Sequence, residues 1–337
     1  MEYRLLRSPG FRAALALVGV LALGTVFNAD GTFYKFRTHQ DLLGAVAING
    51  VLAAGLTLVI LTGGIDLSVG SVLAVSAMCF ALFTMAYQWP AWLAILVCLA
   101  LGALAGTING LLITAFGMQP FVATLATMAS ARGLAKYIPE FAGLGPAALG
   151  PLKAGQKIQP LEGLGPEIFE RIDGRLVVAQ WPTLTLQIPV VTILFLITIT
   201  LLWLAVTQTR FGRHLYAIGG NEEAARLSGI SVGWNKVAAY AICSLCAGLA
   251  GICQASRDHL GDPEAGFTFE LKAIAAVVIG GTSLMGGRGG VLLTFVGVLI
   301  IGYIEKILSI NGVQEPGRLL IQGMIIVVAV IIQRRRT

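Results

Sequence analysis

The chain has 337 residues, 56% hydrophobic and only 12% charged, with a mean hydropathy of +0.83. That composition excludes a soluble globular domain, and the formal charge of +6 does not imply nucleic acid, because the basic residues are scattered with no aromatic-interleaved basic stripe. Apolar runs of about 18 or more residues recur along the chain, which reads as one integral membrane domain over residues 1–337.

Windows of about 20 residues predict ten membrane-spanning helices, near 11–27, 42–62, 69–87, 91–116, 120–137, 188–206, 236–256, 269–285, 290–308 and 318–333. The expected fold class is an all-α polytopic membrane protein. The first run follows Arg4, Arg7 and Arg12 and is read as a span rather than a secretory signal, because cleavage after Ala29 would put Phe27 where a small residue is wanted.

The second and third runs are separated by Gly63-Gly64-Ile65-Asp66-Leu67-Ser68-Val69-Gly70-Ser71. Backbone that leaves the helix at membrane depth persists only where it is packed in protein or lines a water-filled cavity, and ionisable residues there mark solute paths. Asp66 and Ser68 suit either N-capping of the following helix or direct solute contact, and Gly63, Gly64 and Gly70 permit the tight backbone path. Asn49 and Asn109 lie inside apolar runs, where an amide either joins helices or binds a hydroxylated solute. Gln119-Pro120-Phe121 reads as a helix start, with proline early in the first turn.

Composition changes abruptly over 138–187, which is rich in Gly and Pro and carries Lys153, Lys157, Glu162, Glu167, Glu170, Arg171, Asp173 and Arg175. It reads as a periplasmic, exterior excursion rather than a domain, and it divides the spans five and five. An even number of spans puts both termini on one side. Arg4, Arg7, Arg12, the 207–236 loop with Arg210, Arg213, Arg226 and Lys236, and the 334–337 tail with its arginine triplet then share that side, which the positive-inside rule makes cytoplasmic. Lys35, Arg37, Arg257 and Arg318 run against this assignment.

Within the 207–236 loop, Gly219-Gly220-Asn221-Glu222-Glu223-Ala224-Ala225-Arg226-Leu227-Ser228-Gly229-Ile230 spells a short helix. Asn221 can cap it, Glu222 and Glu223 suit the positive end of its dipole, Glu222 can pair with Arg226, and Gly229 can end it in a left-handed turn. So short a helix must dock, either on the protein's own loops or in a cleft of a partner.

Further on, Gly280-Gly281-x-x-Leu284-x-x-Gly287 echoes Gly63-Gly64-x-x-Leu67-x-x-Gly70, and paired glycine breaks of this kind mark binding regions in repeat-built transporters. Thr282 and Ser283 in the second break are further path candidates. Cys79, Cys98, Cys243, Cys246 and Cys253 sit in apolar runs as small hydrophobes, and Cys243-x-x-Cys246 lacks the second pair that would suggest a metal. His39, His214 and His259 are too dispersed for a metal site. No phosphate-binding Gly-x4-Gly-Lys loop, nucleophile elbow or zinc-protease motif occurs, which argues against an enzyme and against ATP hydrolysis by this chain.

Four segments carry a family resemblance: GGIDLSVGS at 63–71, QPFVATLATM at 119–128, GRHLYAIGGNEEAARLSGI at 212–230 and ELKAIAAVVIGGTSLMGGRGG at 270–290. In this order the chain resembles the permease subunits of ribose- and galactoside-type ATP-binding-cassette sugar importers, relatives of branched-chain amino-acid permeases. The resemblance implies a permease in the bacterial inner membrane that imports a pentose or hexose, with ATP and magnesium held by a partner ATPase and no cofactor on this chain. Other implied partners are an extracytoplasmic solute-binding protein and a second permease, either a copy or a paralogue. Gly220, Asn221, Glu222, Glu223, Ala224, Ala225, Arg226 and Gly229 would form the coupling helix seated in the ATPase. Two departures stand out: the 138–187 segment is long and charged, and Lys272 stands where the family leads one to expect Asp. Competing readings are an ATP-driven permease for a non-sugar solute, an ion-coupled secondary transporter using Asp66 or Glu305, and a membrane scaffold.

Overall fold

The computed structural model describes residues 9–144, 152–159, 167–181 and 184–334. Arg4, Arg7, Glu162, Arg335 and Arg336, on which part of the charge reading rests, lie outside them. In chain order the elements are α1 (Pro9–Val26), α2 (Phe36–Leu61), α3 (Val69–Ala81, prolonged by a π-helical turn Leu82–Ala86), α4 (Ala91–Thr114), α5 (Pro120–Tyr137), α6 (Glu167–Asp173), β1 (Arg175–Trp181), β2 (Leu184–Pro189), α7 (Val190–Gln208), α8 (Arg210–Gly220), α9 (Glu222–Leu227), α10 (Val232–Asp258), α11 (Phe269–Gly280), α12 (Val291–Ile310) and α13 (Glu315–Arg334).

Among the described residues six helices are long and apolar enough to cross a membrane: α2, α3 with its π turn, α4, α7, α10 and α12. The other four predicted spans are occupied by α1, α5, α11 and α13. One expected bound changes: the span expected over 269–285 stops at Gly280, where five glycines with positive φ between 281 and 290 carry the chain out of the helix. The all-α polytopic class fits the described residues, with α6 and a small two-stranded sheet of β1 and β2 added at the excursion.

The chain divides into two compact units, neither of which is a sequence half: unit 1 is 1–63, 176–220 and 272–337, and unit 2 is 64–175 and 221–271. Each draws on segments from both sides of the excursion.

In unit 1, α2 is the central helix, with Val51 to Ala54, Leu56 and Leu58 to Leu61 all fully buried. Small residues let its neighbours approach: a side chain on Gly50 would run into the ring of Phe195 on α7, and one on Gly302 of α12 would meet Val46. Thr57 and Thr294 join α2 to α12 through their hydroxyls at 2.7 Å.

In unit 2, α4 lies along α10 on a stripe of Gly102, Gly106 and Gly110. A Cβ on Gly102 would sit 2.5 Å from the Ser244 carbonyl and one on Gly110 2.6 Å from Val237 Cα, while one on Gly106 would strike the Tyr240 carbonyl. The remaining face of α4, with Leu96, Leu104, Ile108 and Leu111, is exposed and suits lipid. The described excursion residues up to Arg175 pack on this unit: Phe169 stacks on Phe80 with ring centres 5.2 Å apart, Lys157 pairs with Asp262 at 2.7 Å, and Ile158 bridges Gly261. The Asp262 carboxylate holds the Lys157 ammonium above the usual lysine range.

Candidate translocation and coupling sites

The first glycine break builds a buried polar network in unit 2. Residues 64–68 run without helix, and Asp66, Ser68, Asn109 and Thr124 are fully buried. Asp66 Oδ1 accepts from the Ser68 amide at 2.9 Å and the Ser68 hydroxyl at 2.6 Å. Ser68 occupies the N-cap position of α3 but makes no side-chain cap bond there. Capping is therefore displaced: Asp66 fixes the residue that opens the helix, and Ser68 passes the bond onward.

Ser68 Oγ accepts from Asn109 Nδ2 at 2.9 Å, and Asn109 Oδ1 accepts from Thr127 at 2.5 Å, so Asn109 ties the break to α4 and α5. Thr124 donates to the Pro120 carbonyl at 2.9 Å, and the Tyr240 hydroxyl on α10 reaches the Ile65 carbonyl at 3.3 Å. A side chain at Gly70 would collide with the Glu270 carboxylate and the Gly266 carbonyl, so glycine is required by close approach there. The network holds the break rigid from three helices.

The second break closes on unit 1. The Gly287 amide donates to the Leu61 carbonyl at 3.0 Å, at the end of α2. A Cβ on Gly286 would lie 2.7 Å from the Gly63 nitrogen and 3.0 Å from Gly219 Cα, and one on Gly219 would strike the Leu61 carbonyl. Gly63, Gly219, Gly286 and Gly287 thus meet backbone to backbone. Thr282 is fully buried and accepts from the Gly290 amide at 3.1 Å, while Ser283 accepts from the Met285 amide at 3.2 Å. Both hydroxyls shape the loop. Tyr216 on α8 donates to the Gly289 carbonyl at 2.9 Å, and burial raises its phenol above the ordinary value.

Asn49, on α2, differs from Asn109: its Oδ1 is buried and has no hydrogen-bond partner in the protein. It lines a cavity of about 30 Å³ together with Lys272 and Glu305.

The short helix expected after Gly220 is α9, six residues long. Asn221 caps it by accepting from the Ala224 amide at 3.0 Å, and Gly229 ends it at φ +81°. Glu222 pairs with Arg226 at 3.2 Å and with Lys236 of α10 at 2.6 Å. Only Ala225 is buried, and Leu227 and Trp234 stand 81% and 75% exposed, too apolar for free water at the tip of a polar loop. Neither is among the residues expected from sequence, although a lone Leu in so polar a segment was a readable signal.

A multi-pass bundle with two glycine breaks, a rigid polar network behind one of them and a small exposed helix is the build of a transport-system membrane component. The chain belongs to the family described as branched-chain amino acid transport system / permease component, which it matches over residues 39–330. It is 43% identical to the ribose import permease protein RbsC of Bacillus subtilis (strain 168), over 88% of this chain and 84% of that protein. It is 33% identical to the protein of the same name from Escherichia coli (strain K12), over 96% of this chain and 94% of that one. The xylose transport system permease protein XylH of Escherichia coli (strain K12) is 32% identical over 96% and 92% of the two chains. No solved structure matches. The chain is a multi-pass membrane permease component and not an enzyme.

Proposed function

We propose that the chain is the membrane-spanning subunit of an ATP-driven importer for a monosaccharide of the pentose or hexose class. Identity to the ribose and xylose permeases along nearly the whole chain carries this reading. In it the protein sits in the inner membrane with ten crossings and both termini in the cytoplasm, and works beside a second permease, a copy or a paralogue. An extracytoplasmic binding protein delivers the solute and a separate ATPase supplies ATP and magnesium.

In this reading α9 is the docking element for the ATPase. Its support is physical: a six-residue helix does not persist alone in water, it is held to α10 by the Glu222–Lys236 pair, and it presents Glu223, Ala224, Arg226 and Leu227 outward. Gly63 and Gly64, with Asp66, Ser68 and Asn109, frame the path, Thr282 and Ser283 set the second break, and Asn49 meets the solute.

Among the described residues no observation favours an ion-coupled carrier. Glu305 is paired with Lys272 at 3.1 Å and Asp66 is hydrogen-bonded to Ser68, so both acids that such a mechanism needs are engaged.

Gentle detergent extraction from native membranes, capture of the chain and mass spectrometry of what copurifies tests the proposal. A copurifying ATPase with a phosphate-binding loop is the expected result. Repeated recovery of the chain alone, still active in gradient-driven uptake, would refute it.

A further inference from the structure

Unit 1 holds a second polar cluster, apart from Asp66 and the glycine breaks, contributed by α2, α11, α12 and α13. At its centre Glu305 pairs with Lys272 at 3.1 Å, and both side chains are only partly exposed. Two small cavities flank it. One of about 30 Å³ is lined by Asn49, Lys272 and Glu305, and one of about 10 Å³ by Glu305, Arg318 and Gln322, with Ile301 walling both.

Three polar atoms on these walls, Asn49 Oδ1, Arg318 Nε and Gln322 Nε2, are buried without a hydrogen-bond partner in the protein. An unpartnered polar atom weakens a packed interior, and an apolar side chain of the same shape would be neutral or stabilising in its place. Three of them around one ion pair point to a partner outside the protein.

The donor and acceptor set narrows that partner. One amide oxygen and one carboxylate accept, while a guanidinium, an ammonium and an amide nitrogen donate. Two cationic side chains disfavour a free cation, and the central carboxylate disfavours an anion. A neutral hydroxylated molecule, whose every O–H both donates and accepts, fits both halves. The cavities admit groups the size of a water or a single hydroxyl, so the contact in this conformation is with individual hydroxyls.

We propose that Asn49, Lys272, Glu305, Arg318 and Gln322 form a hydroxyl-reading site that sets affinity for the transported sugar. This rests on the import function proposed above.

The test replaces the chromosomal gene in the source organism with Asn49→Leu, Gln322→Leu and the Lys272→Glu/Glu305→Lys swap. Uptake of radiolabelled ribose, xylose, glucose and galactose is then measured alongside thermal unfolding of the purified protein, and KM is read on whichever sugar the parent transports. For the two leucine variants the expected result is a melting temperature at or above the parent's, a KM raised tenfold or more, and a Vmax within twofold. The swap is expected to keep the pair and the melting temperature but to hold KM raised, whereas a purely structural pair would restore both. A KM within twofold of the parent's in both leucine variants overturns the inference, as does a raised KM accompanied by a lower melting temperature. If the parent takes up none of these pentoses and hexoses by an ATP-dependent route, the import function itself fails and the site falls with it. A transporting parent with unaltered variants removes the site alone.

Discussion

Gly219 and Gly220 are neighbours at the end of α8, yet they meet opposite surroundings. A Cβ on Gly219 would strike the Leu61 carbonyl and the Gly287 nitrogen, whereas one on Gly220 has nothing within 4 Å. Neither residue has a positive φ, so alanine is conformationally acceptable at both. For Gly219→Ala the obstacle is backbone, which cannot rotate aside. Overpacking costs about 1–3 kcal/mol. Forcing apart the Gly287 amide and Leu61 carbonyl, 3.0 Å apart, adds about 1–3 kcal/mol for the orphaned donor, and the helix gain of alanine over glycine returns about 0.5–1 kcal/mol. The net is a destabilisation of about 1–5.5 kcal/mol. Gly220→Ala keeps only the helix gain and is expected to stabilise by up to about 1 kcal/mol. Thermal unfolding in detergent with a thiol-reactive fluorogenic dye reads both, because all five cysteines are free and buried until the fold opens. A Gly219→Ala protein that melts at or above the parent would refute the backbone contact.

Asp66→Ala leaves the Ser68 amide and hydroxyl without an acceptor and is expected to cost about 2–6 kcal/mol, while Asp66→Asn keeps the acceptor and stays within about 1.5 kcal/mol of the parent; equal loss in both melts would mean that charge, not the hydrogen-bonded turn, matters. Gly106→Ala should destabilise by about 1–3 kcal/mol through the Tyr240 carbonyl, whereas Gly133→Ala, with open space around it, should not; matching melts would sink the α4–α10 seam. Gly229→Ala strains a residue at φ +81° by about 1–2 kcal/mol and Glu223→Ala changes an exposed side chain. Both are expected to insert normally in membranes and to lose most ATP-driven uptake, and unchanged uptake would remove α9 as the docking element.

Apolar runs punctuated by glycine and proline made the helix positions readable, because a lipid-facing or helix-packed segment has to be apolar along its length. The same logic overruns the end of α11: the apolar window continues to 285 past the Gly280-Gly281 break that the glycine echo marks, and the positive φ of the glycines between 281 and 290 ends the helix at Gly280. Local chemistry was legible for α9, whose cap, charges and terminating glycine lie within nine residues of one another. Asn49 and Asn109 look alike in sequence, but one is hydrogen-bonded on both sides and the other has a bare oxygen. That difference depends on which helices face them, which no local pattern encodes. The Lys272–Glu305 pair is likewise invisible before folding. The four-residue spacing of Gly102, Gly106 and Gly110 was readable as a close-packing stripe.

The discontinuity of the two units orders their assembly as the chain leaves the ribosome. Unit 2 has its last residue at Leu271, whereas unit 1 still lacks α12, α13 and the part of α11 from Lys272 onward at that moment. Its central helix, α2, is among the earliest made, and its α12 partner, with Thr294 against Thr57 and Gly302 against Val46, arrives more than two hundred residues later. At synthesis rates of about 5–20 residues per second, α2 waits on the order of ten seconds or more with one face unmatched. That interval is when a membrane chaperone, or a wrong helix, would find its opportunity.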